Sequence, residues 1–273
     1  MLELEHQFRV VDVHARFNAD PGGVRTRGRA ISAEDLEREM HQAGVVRAVV
    51  FPGPRPQESY VRANNAVARL SVERPFVTFA RINGPRDPGA RASSRLRNFA
   101  ASRKEWHTSS SDVERYAYDD RFHGFKLDPT TDGLPDEEVL EQLASVGLPV
   151  LVHAGEGFPP SAAAATLLDY EFPVVLAHFG GYPLDRDLMT EAIGLLDAHD
   201  NCYLDTSYVR YRDLLERAMV EHPDRVLFGS GAPSVHPNVA IMEILTLDVP
   251  QDAMRKVFSK NPSRVVEALG SER

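Results

Sequence analysis

The sequence predicts a (β/α)8 barrel, an α/β fold in which eight parallel strands alternate with helices. Three observations predict it: eight short apolar runs rich in β-branched residues, helical spacing between these runs, and a length of 273 residues, near the roughly 250 typical of this fold. The runs are Val10–His14, Val45–Phe51, Phe76–Ile82, Phe122–Leu127, Pro149–His153, Pro173–His178, Cys202–Asp205 and Arg225–Ser230. The runs and the segments between them span most of the chain, so we expect a single barrel domain over residues 1–273.

The segments between the runs carry helix start and stop signals. Ser32 and Asp35 have the spacing of a capping box, and Gly44 stands where a helix commonly ends. The connection over residues 83–120, between the third and fourth runs, is unusually long, and we expect a long insertion there. A doubly wound open sheet is the alternative fold, but Gly22 and Gly23 lack the spacing of the glycine-rich turn it uses after its first strand.

Composition narrows the classes of partner and compartment. Lys and Arg total 31 against 40 Asp and Glu, a net charge of −9, which disfavours nucleic acid as a partner. No apolar run approaches the length of a membrane span, and the single Cys202 fits a reducing compartment. We therefore expect a cytoplasmic protein with neither a nucleic-acid nor a membrane partner. Its oligomeric state stays open, a homo-oligomer included.

Polar residues collect at the carboxyl ends of the runs, where active sites of such barrels lie. The strand ends supply Asp12, His14, Arg16, Arg81, Lys126, Asp128, His153, Glu156, His178 and Asp205. Strand alternation predicts that Asp12, His14 and Arg16 share the inner face of the barrel and that Val11 and Val13 face outward. Three histidines at one mouth are typical of metal-assisted hydrolysis, although a single histidine at a strand end more often has a structural role.

Several short strings occur along the chain in the order of the strands. They are Val11-Asp-Val-His14, Ala43-Gly-Val-Val-Arg-Ala-Val-Val50, Phe79-Ala-Arg-Ile-Asn83, Gly124-Phe-Lys-Leu127, Pro149-Val-Leu-Val-His-Ala-Gly-Glu156, Ala177-His-Phe-Gly-Gly181 and Arg225-Val-Leu-Phe-Gly-Ser230. With these strings the chain resembles the amidohydrolase-related branch of the amidohydrolase superfamily, which includes aminocarboxymuconate-semialdehyde-type decarboxylases and pyrone-dicarboxylate-type lactonases. The resemblance implies the distorted barrel of that superfamily.

The resemblance also implies metal-ligand positions, and the chain departs from two of them. His14 and His153 match ligand positions, and His178 matches a position that binds a second metal or acts on substrate. Arg16 stands where the first strand usually has a second histidine, and Gly231 stands where the eighth strand usually has an aspartate. Because Arg16 places a permanent cation where a dication would lie and Gly231 removes a carboxylate, a divalent metal such as Zn²⁺ is disfavoured.

We expect a hydrolase that acts on a small carboxylated substrate, a lactone or cyclic amide, without an obligatory metal. His178, His153 and Arg16 are the predicted catalytic residues, with His178 favoured as the base. Arg81, Lys126, Asp128 and Glu156 are the predicted substrate-binding residues, and Asp205 is expected to orient His178 or His153. Arg25, Arg27 and Arg29 could add to the same anion site. The predicted partner is thus a small anionic molecule.

Two other functions remain open from the sequence. One is a metal-dependent hydrolase or nonoxidative decarboxylase that uses His14, His153 and His178 as ligands. The other is a noncatalytic barrel, kept for binding or assembly after its metal site decayed. Convergence of Arg16, His153 and His178 on one pocket would favour an enzyme or a ligand-binding protein.

Overall fold

Eight parallel strands form one sheet whose spatial order follows the chain, in a computed structural model that describes residues 7–19, 31–55, 57–89, 94, 96, 98 and 101–270. The strands are β1 (Val10–Arg16), β2 (Val45–Phe51), β3 (Phe76–Ile82), β4 (Phe122–Leu127), β5 (Val150–Gly155), β6 (Val174–Tyr182), β7 (Cys202–Asp205) and β8 (Val226–Leu227). β8 is shorter than the predicted run, whereas β1 and β6 extend beyond theirs. Arg25, Arg27 and Arg29 lie outside the described residues.

The sheet closes into a barrel where β8 and the segment after it meet β1. Three backbone bonds make this seam: Val13 N–H to Phe228 O at 2.9 Å, Gly231 N–H to His14 O at 2.9 Å and Arg16 N–H to Ala232 O at 3.0 Å. Parallel pairing of Ala15 with Ala232 continues the seam beyond the end of β8. The predicted (β/α)8 fold is confirmed.

Helices connect successive strands and cover the outside of the barrel. The described helices are α1 (Ala33–Ala43), α2 (Val61–Ser71), α3 (Ser110–Ala117), α4 (Pro129–Asp132), α5 (Glu137–Val146), α6 (Pro160–Leu167), α7 (Arg186–Ala198), α8 (Arg212–Glu221), α9 (Pro237–Leu245), α10 (Gln251–Arg255) and α11 (Asn261–Val265). A π-helical turn (Lys256–Lys260) joins α10 to α11, and a 3₁₀ turn (Glu267–Leu269) follows. Ser32 caps α1 through the predicted capping box.

The long connection between β3 and β4 is not simply an insertion. It contains α3, which Ser109 caps with a second capping box to Asp112. At its start, Asn83 exchanges hydrogen bonds with Thr108, with Asn83 Oδ1 accepting from Thr108 N–H at 2.8 Å. The end of the connection therefore supplies the barrel's third covering helix. The part that is an insertion is accordingly shorter than the predicted residues 83–120.

Alternation along the strands separates an outer core from an inner core. The outer core joins strands to helices, and the inner core includes Val11, Val13, Val49, Phe51, Val77, Phe79, Leu151, Val175, Ala177 and Leu227. Val11 and Val13 thus line the interior, and the predicted outward direction is wrong for both. The β1–β2 register shifts between Asp12 and Ala15, which breaks the simple alternation that the prediction assumed.

Candidate active site at the carboxyl ends of the strands

The inner positions become polar at the carboxyl ends of four strands. On each of these strands, the inward-facing side chains are apolar or small nearer the amino end, and a polar residue follows them at the carboxyl end. The polar residues are Arg81 on β3, Lys126 on β4, His153 on β5 and Asp205 on β7. Arg81, Lys126 and Asp205 are buried, whereas His153 is half-buried. The fold therefore brings four polar side chains to one end of the barrel.

His178 reaches the same place through an unusual backbone conformation. Ala177 belongs to the inner core, so regular alternation would turn the next side chain outward. His178 and Phe179 instead adopt φ values of 58° and 56°, in the left-handed region. The His178 N–H donates to Asp205 Oδ1 at 2.9 Å, which helps to hold this conformation. The imidazole consequently lies beside His153, with 3.1 Å between His178 Nε2 and His153 Nδ1.

Asp205 is the central acceptor of the site. Its Oδ2 accepts a hydrogen bond from His14 Nδ1 at 2.7 Å, and its Oδ1 accepts from the backbone N–H groups of His178 and Ser207, each at 2.9 Å. Burial opposes ionisation of Asp205, but His14 and these hydrogen bonds outweigh it and lower its pKa. Asp205 thus orients the His14 ring and the His178 backbone. No hydrogen bond joins it to His153, which it was also predicted to orient.

Ser207, which is not among the residues predicted for the site, links Asp205 to the histidines. Its Oγ lies 2.5 Å from Asp205 Oδ1, 2.8 Å from His178 Nδ1 and 3.3 Å from His14 Nδ1. The pairing of Asp205 and Ser207 two residues apart at a strand end was the available signal. Alternation alone does not show that the chain turns so that both side chains meet His178.

Arg81 is held by protein carboxylates. Its Nε donates to Asp132 Oδ2 at 2.8 Å, one terminal nitrogen lies 3.5 Å from Asp128 Oδ2, and the guanidinium stacks over the Tyr60 ring at 5.3 Å. Asp132 in turn accepts a hydrogen bond from Tyr60 Oη at 2.6 Å. Because its charge is already compensated inside the protein, Arg81 supports the wall of the site and is poorly placed for the predicted direct contact with substrate.

Lys126 and Arg16 differ from Arg81 in having no ion pair with any described carboxylate. Within the described part of the chain, Lys126 Nζ has a single hydrogen-bond acceptor, Leu127 O at 3.3 Å. It lies 5.4 Å from the centre of the Phe51 ring. Burial lowers the Lys126 pKa to about 8 despite the opposing effect of Asp128. Burial also lowers the pKa of the half-buried Arg16, which Tyr208 and Tyr182 partly offset. The mouth thus holds two cationic groups that form no ion pair with the described residues, although Asp128 lies close enough to favour the charged form of Lys126.

The remaining predicted residues divide between the site and the surface. Asp128 lies near His153, Arg81 and Lys126; burial raises its pKa, but these three neighbours reverse that effect and bring it to about 2. Glu156 is exposed and forms no ion pair or side-chain hydrogen bond with another described residue. The predicted substrate-binding role of Glu156 therefore has no geometric support.

The histidines of the site favour their neutral forms. Burial lowers the pKa of His153 to about 4, with Lys126, His14 and Arg81 adding to the effect and Asp128 opposing it. Burial also lowers the pKa of His178 strongly and that of His14, although Asp205 partly compensates at His14. Both ring nitrogens of His178 have hydrogen-bond partners, whereas only Nδ1 of His153 does. The structure therefore favours His153 over the predicted His178 as the accessible base.

His14, His178 and Asp205 could hold a metal ion by donor type, with ligand atoms within 4.8 Å of one another. Their present arrangement fits an ion poorly. The Ser207 hydroxyl lies within hydrogen-bond distance of all three side chains, and Asp205 already accepts a bond on each oxygen. An ion among these donors would have to displace Ser207 and break the bond from His14 to Asp205.

The eighth strand shows a further departure from a metal site. Gly231 has a φ of 73°, and a Cβ added there would lie 2.7 Å from the Tyr208 ring. The Tyr208 ring also contacts His178, with 5.0 Å between the ring centres. Tyr208 therefore takes the space into which an aspartate side chain at position 231 would extend.

The barrel and its polar mouth define the class of protein as an enzyme-like α/β barrel. The chain belongs to the amidohydrolase family, whose model matches residues 11–267. No curated protein sequence matches significantly. Among the described residues, no helix has the length and apolar character needed to cross a membrane.

Several solved structures resemble the chain along nearly its whole length, and they show the fold. An uncharacterised TIM-barrel protein from Bordetella bronchiseptica is 19% identical, with a TM-score of 0.69 over 97% of this chain and 100% of that one. A dihydroxybenzoic acid decarboxylase from Polaromonas sp. JS666, solved with manganese, is 15% identical, with a TM-score of 0.68 over 97% and 98%. A probable 2-pyrone-4,6-dicarboxylic acid hydrolase from Acinetobacter baumannii, solved with citric acid, is 15% identical, with a TM-score of 0.61 over 97% and 100%.

Proposed function

We propose that the protein hydrolyses a small carboxylated substrate, a lactone or cyclic amide, without an obligatory metal. The observation that carries the proposal is the pair of cations Arg16 and Lys126, which have no carboxylate partner among the described residues and share the mouth with neutral His153. Family membership supports an enzyme, and the similar structures include a probable pyrone-dicarboxylate hydrolase.

The cations favour an anionic ligand for a simple energetic reason. A buried ammonium without a counterion loses hydration that one backbone carbonyl does not replace. A substrate carboxylate would supply the missing charge at Lys126, and the guanidinium of Arg16 can bind a carboxylate or oxyanion through two parallel hydrogen bonds. The two residues would therefore bind the substrate and stabilise negative charge that develops on its carbonyl oxygen.

His153 would supply the base for the attacking water. Its Nε2 has no hydrogen-bond partner among the described residues, and its pKa of about 4 keeps the ring neutral at pH 7. In the proposed reaction His153 Nε2 takes a proton from water, and the hydroxide oxygen bonds to the substrate carbonyl carbon. The carbonyl carbon then loses its ring oxygen or nitrogen, which receives the proton back from His153. Asp128, ionised beside His153, would stabilise the transient imidazolium.

A nonoxidative decarboxylase is the second candidate. The manganese-containing decarboxylase among the similar structures and the donor group of His14, His178 and Asp205 favour it. This reaction would release carbon dioxide and replace the lost carboxylate with a proton. It would need Ser207 to move if a metal entered the donor group.

A substrate screen with chelator-treated protein distinguishes the candidates. Lactones, cyclic amides and aromatic acids, each carrying a carboxylate, would be followed by mass spectrometry for the addition of water or the loss of carbon dioxide. We expect water addition without metal and at least a tenfold rise in KM for Arg16→Gln, because a charged hydrogen-bond partner is lost. Arg38→Gln, on an exposed face of α1, is the matched control and should leave KM unchanged.

Three results would contradict the proposal. Carbon dioxide release that requires added Mn²⁺ would establish the decarboxylase. Water addition that requires added Mn²⁺ would refute the metal-independent site. Binding of carboxylates without turnover of any compound would indicate a noncatalytic barrel.

A further inference from the structure

We propose that Ser207 is a positioning residue that fixes the proton arrangement of the His178–His153 pair and leaves His153 Nε2 without a proton. The inference rests on the proposed function only in taking His153 as the base. The arrangement itself follows from four linked groups, Asp205, Ser207, His178 and His153, and is a property of the protein without substrate.

The chain of hydrogen bonds begins at a carboxylate that can only accept. Two backbone N–H groups donate to Asp205 Oδ1, and His14 Nδ1 donates to Oδ2. Three donors around one fully buried carboxyl group stabilise its ionised form. The contact of 2.5 Å between Ser207 Oγ and Asp205 Oδ1 therefore needs the hydroxyl proton between the two oxygens.

The direction of that bond determines which nitrogen of His178 carries a proton. A serine hydroxyl has one proton, and Ser207 gives it to Asp205. The 2.8 Å contact between Ser207 Oγ and His178 Nδ1 can then be a hydrogen bond only if His178 Nδ1 is the donor. The ring is buried and neither of its nitrogens contacts a described carboxylate, so it carries a single proton and Nε2 is left as an acceptor.

The bond between the two histidines determines in turn which nitrogen of His153 carries a proton. The 3.1 Å contact between His178 Nε2 and His153 Nδ1 needs one proton, and His178 Nε2 has none to give. His153 Nδ1 must therefore donate, and the neutral His153 ring carries its lone pair on Nε2. His153 is half-buried, whereas the other three groups of the chain are buried. The series of hydrogen bonds thus leaves a free lone pair on Nε2 of His153, its least buried member.

Nuclear magnetic resonance of protein with ¹⁵N-labelled histidine tests the arrangement directly, because the ¹⁵N shifts distinguish the two neutral forms of an imidazole. Signals are assigned by comparison with His153→Asn and His178→Asn. At neutral pH and without substrate, we expect the proton on Nδ1 in both His153 and His178. A His153 ring that carries its proton on Nε2 in the unmodified protein would overturn the proposal.

Ser207→Ala tests the role of the hydroxyl, with Ser230→Ala as the matched control. Ser230 is equally buried and donates to a carboxylate, Asp12 Oδ2, at 2.5 Å, but it has no bond to His178. We expect Ser207→Ala to move at least half of His153 to the Nε2-protonated form, and Ser207→Thr and Ser230→Ala to retain the original form. An unchanged His153 signal in folded Ser207→Ala would refute the role of Ser207.

The remaining outcomes are also decisive. If Ser207→Ala does not fold, the ¹⁵N spectra of the unmodified protein and of Ser207→Thr provide the test. An Nε2 proton on His153 in either protein would overturn the inference. The two proposals can also fail separately. If the protons lie as expected but the substrate screen finds no turnover, the proposed function is refuted and the positioning role of Ser207 remains.

Discussion

At the scale of single residues, the contrast between Arg81 and Lys126 explains where the mouth can receive an anion. The two residues pair in register on adjacent strands, and both side chains are 3% exposed. Arg81 forms ion pairs with Asp132 and Asp128. Within the described residues Lys126 forms no ion pair and donates to the Leu127 carbonyl, although the nearby Asp128 favours its charged form. Such an incompletely compensated buried charge costs stability, and it persists in a folded protein most readily where a ligand uses it.

We expect Lys126→Met to be more stable than the unmodified protein at pH 7. Folding lowers the Lys126 pKa from 10.5 to about 8, so charging this group in the folded state costs roughly 3 kcal/mol at most. Because the folded pKa is the lower one, the cost is fully present below about pH 8 and disappears above about pH 10.5. Urea unfolding at pH 7 and about 9.5 should show the advantage of the variant shrinking as pH rises.

Lys260→Met is the control for this substitution, because the Lys260 side chain is 54% exposed. Its unfolding free energy should change by no more than about 0.5 kcal/mol. A Lys126→Met protein that is less stable than the unmodified one at pH 7 would show that Lys126 is compensated within the protein. The anion site would then lose its main support.

At the scale of elements, the seam between β1 and β8 depends on a carboxyl group. β8 contains only Val226 and Leu227, and Asp12 adds to the seam by accepting from Ser230 N–H at 2.9 Å and from Ser230 Oγ at 2.5 Å. Asp12 Oδ1 also accepts from His14 N–H at 2.8 Å. Burial raises the Asp12 pKa to about 7, although these hydrogen bonds oppose the change.

Asp12→Asn should flatten the dependence of stability on pH, because the amide reproduces the protonated carboxyl group. The folded pKa of about 7 exceeds the ordinary 3.8, so this group contributes up to roughly 4 kcal/mol below about pH 4. That contribution is lost as pH rises through about 7. Urea unfolding at pH 5 and 8 should therefore show a smaller decrease for Asp12→Asn than for the unmodified protein, and an equal decrease would refute the assignment to Asp12.

The turn after β8 resists restoration of the missing aspartate. Gly231→Asp forces a side chain into a left-handed backbone conformation and against Tyr208, at a cost of about 1–3 kcal/mol. We expect Arg16→His with Gly231→Asp to fold with reduced thermal stability and still to bind no Mn²⁺ in calorimetric titration. Adding Tyr208→Ala should recover part of the stability. Tight Mn²⁺ binding by the double variant would show that only those two positions prevent a metal site.

At the scale of the whole molecule, the barrel could be predicted because its signal is repeated along the chain. Eight apolar runs and their intervening helices do not depend on any single position, so errors at the ends of β1, β6 and β8 left the architecture unaffected. The polar strand ends were likewise visible, and the structure does bring His14, His153 and His178 together, with 4.9 Å between the ring centres of His14 and His178.

The parts that could not be predicted are those where regular alternation fails. In β1, Asp12 points away from Val11 and Val13 toward Ser230, and the register shift that follows lets His14 face inward as Val13 does. The left-handed backbone at His178 turns its ring inward. The partners of Arg81 were also hidden, because Asp132 lies on the short helix α4 rather than at a strand end. These local features, which depend on tertiary contacts, decide which charges are compensated and which remain for a ligand.

We propose that this amidohydrolase-family site binds its substrate with protein cations and does not depend on a resident metal. The most direct measurement is the metal content of protein purified without chelator, by inductively coupled plasma mass spectrometry. We expect Zn²⁺ and Mn²⁺ far below one ion per chain, with no further binding when either ion is added. One tightly bound ion per chain that is lost in both His14→Ala and His178→Ala would contradict it.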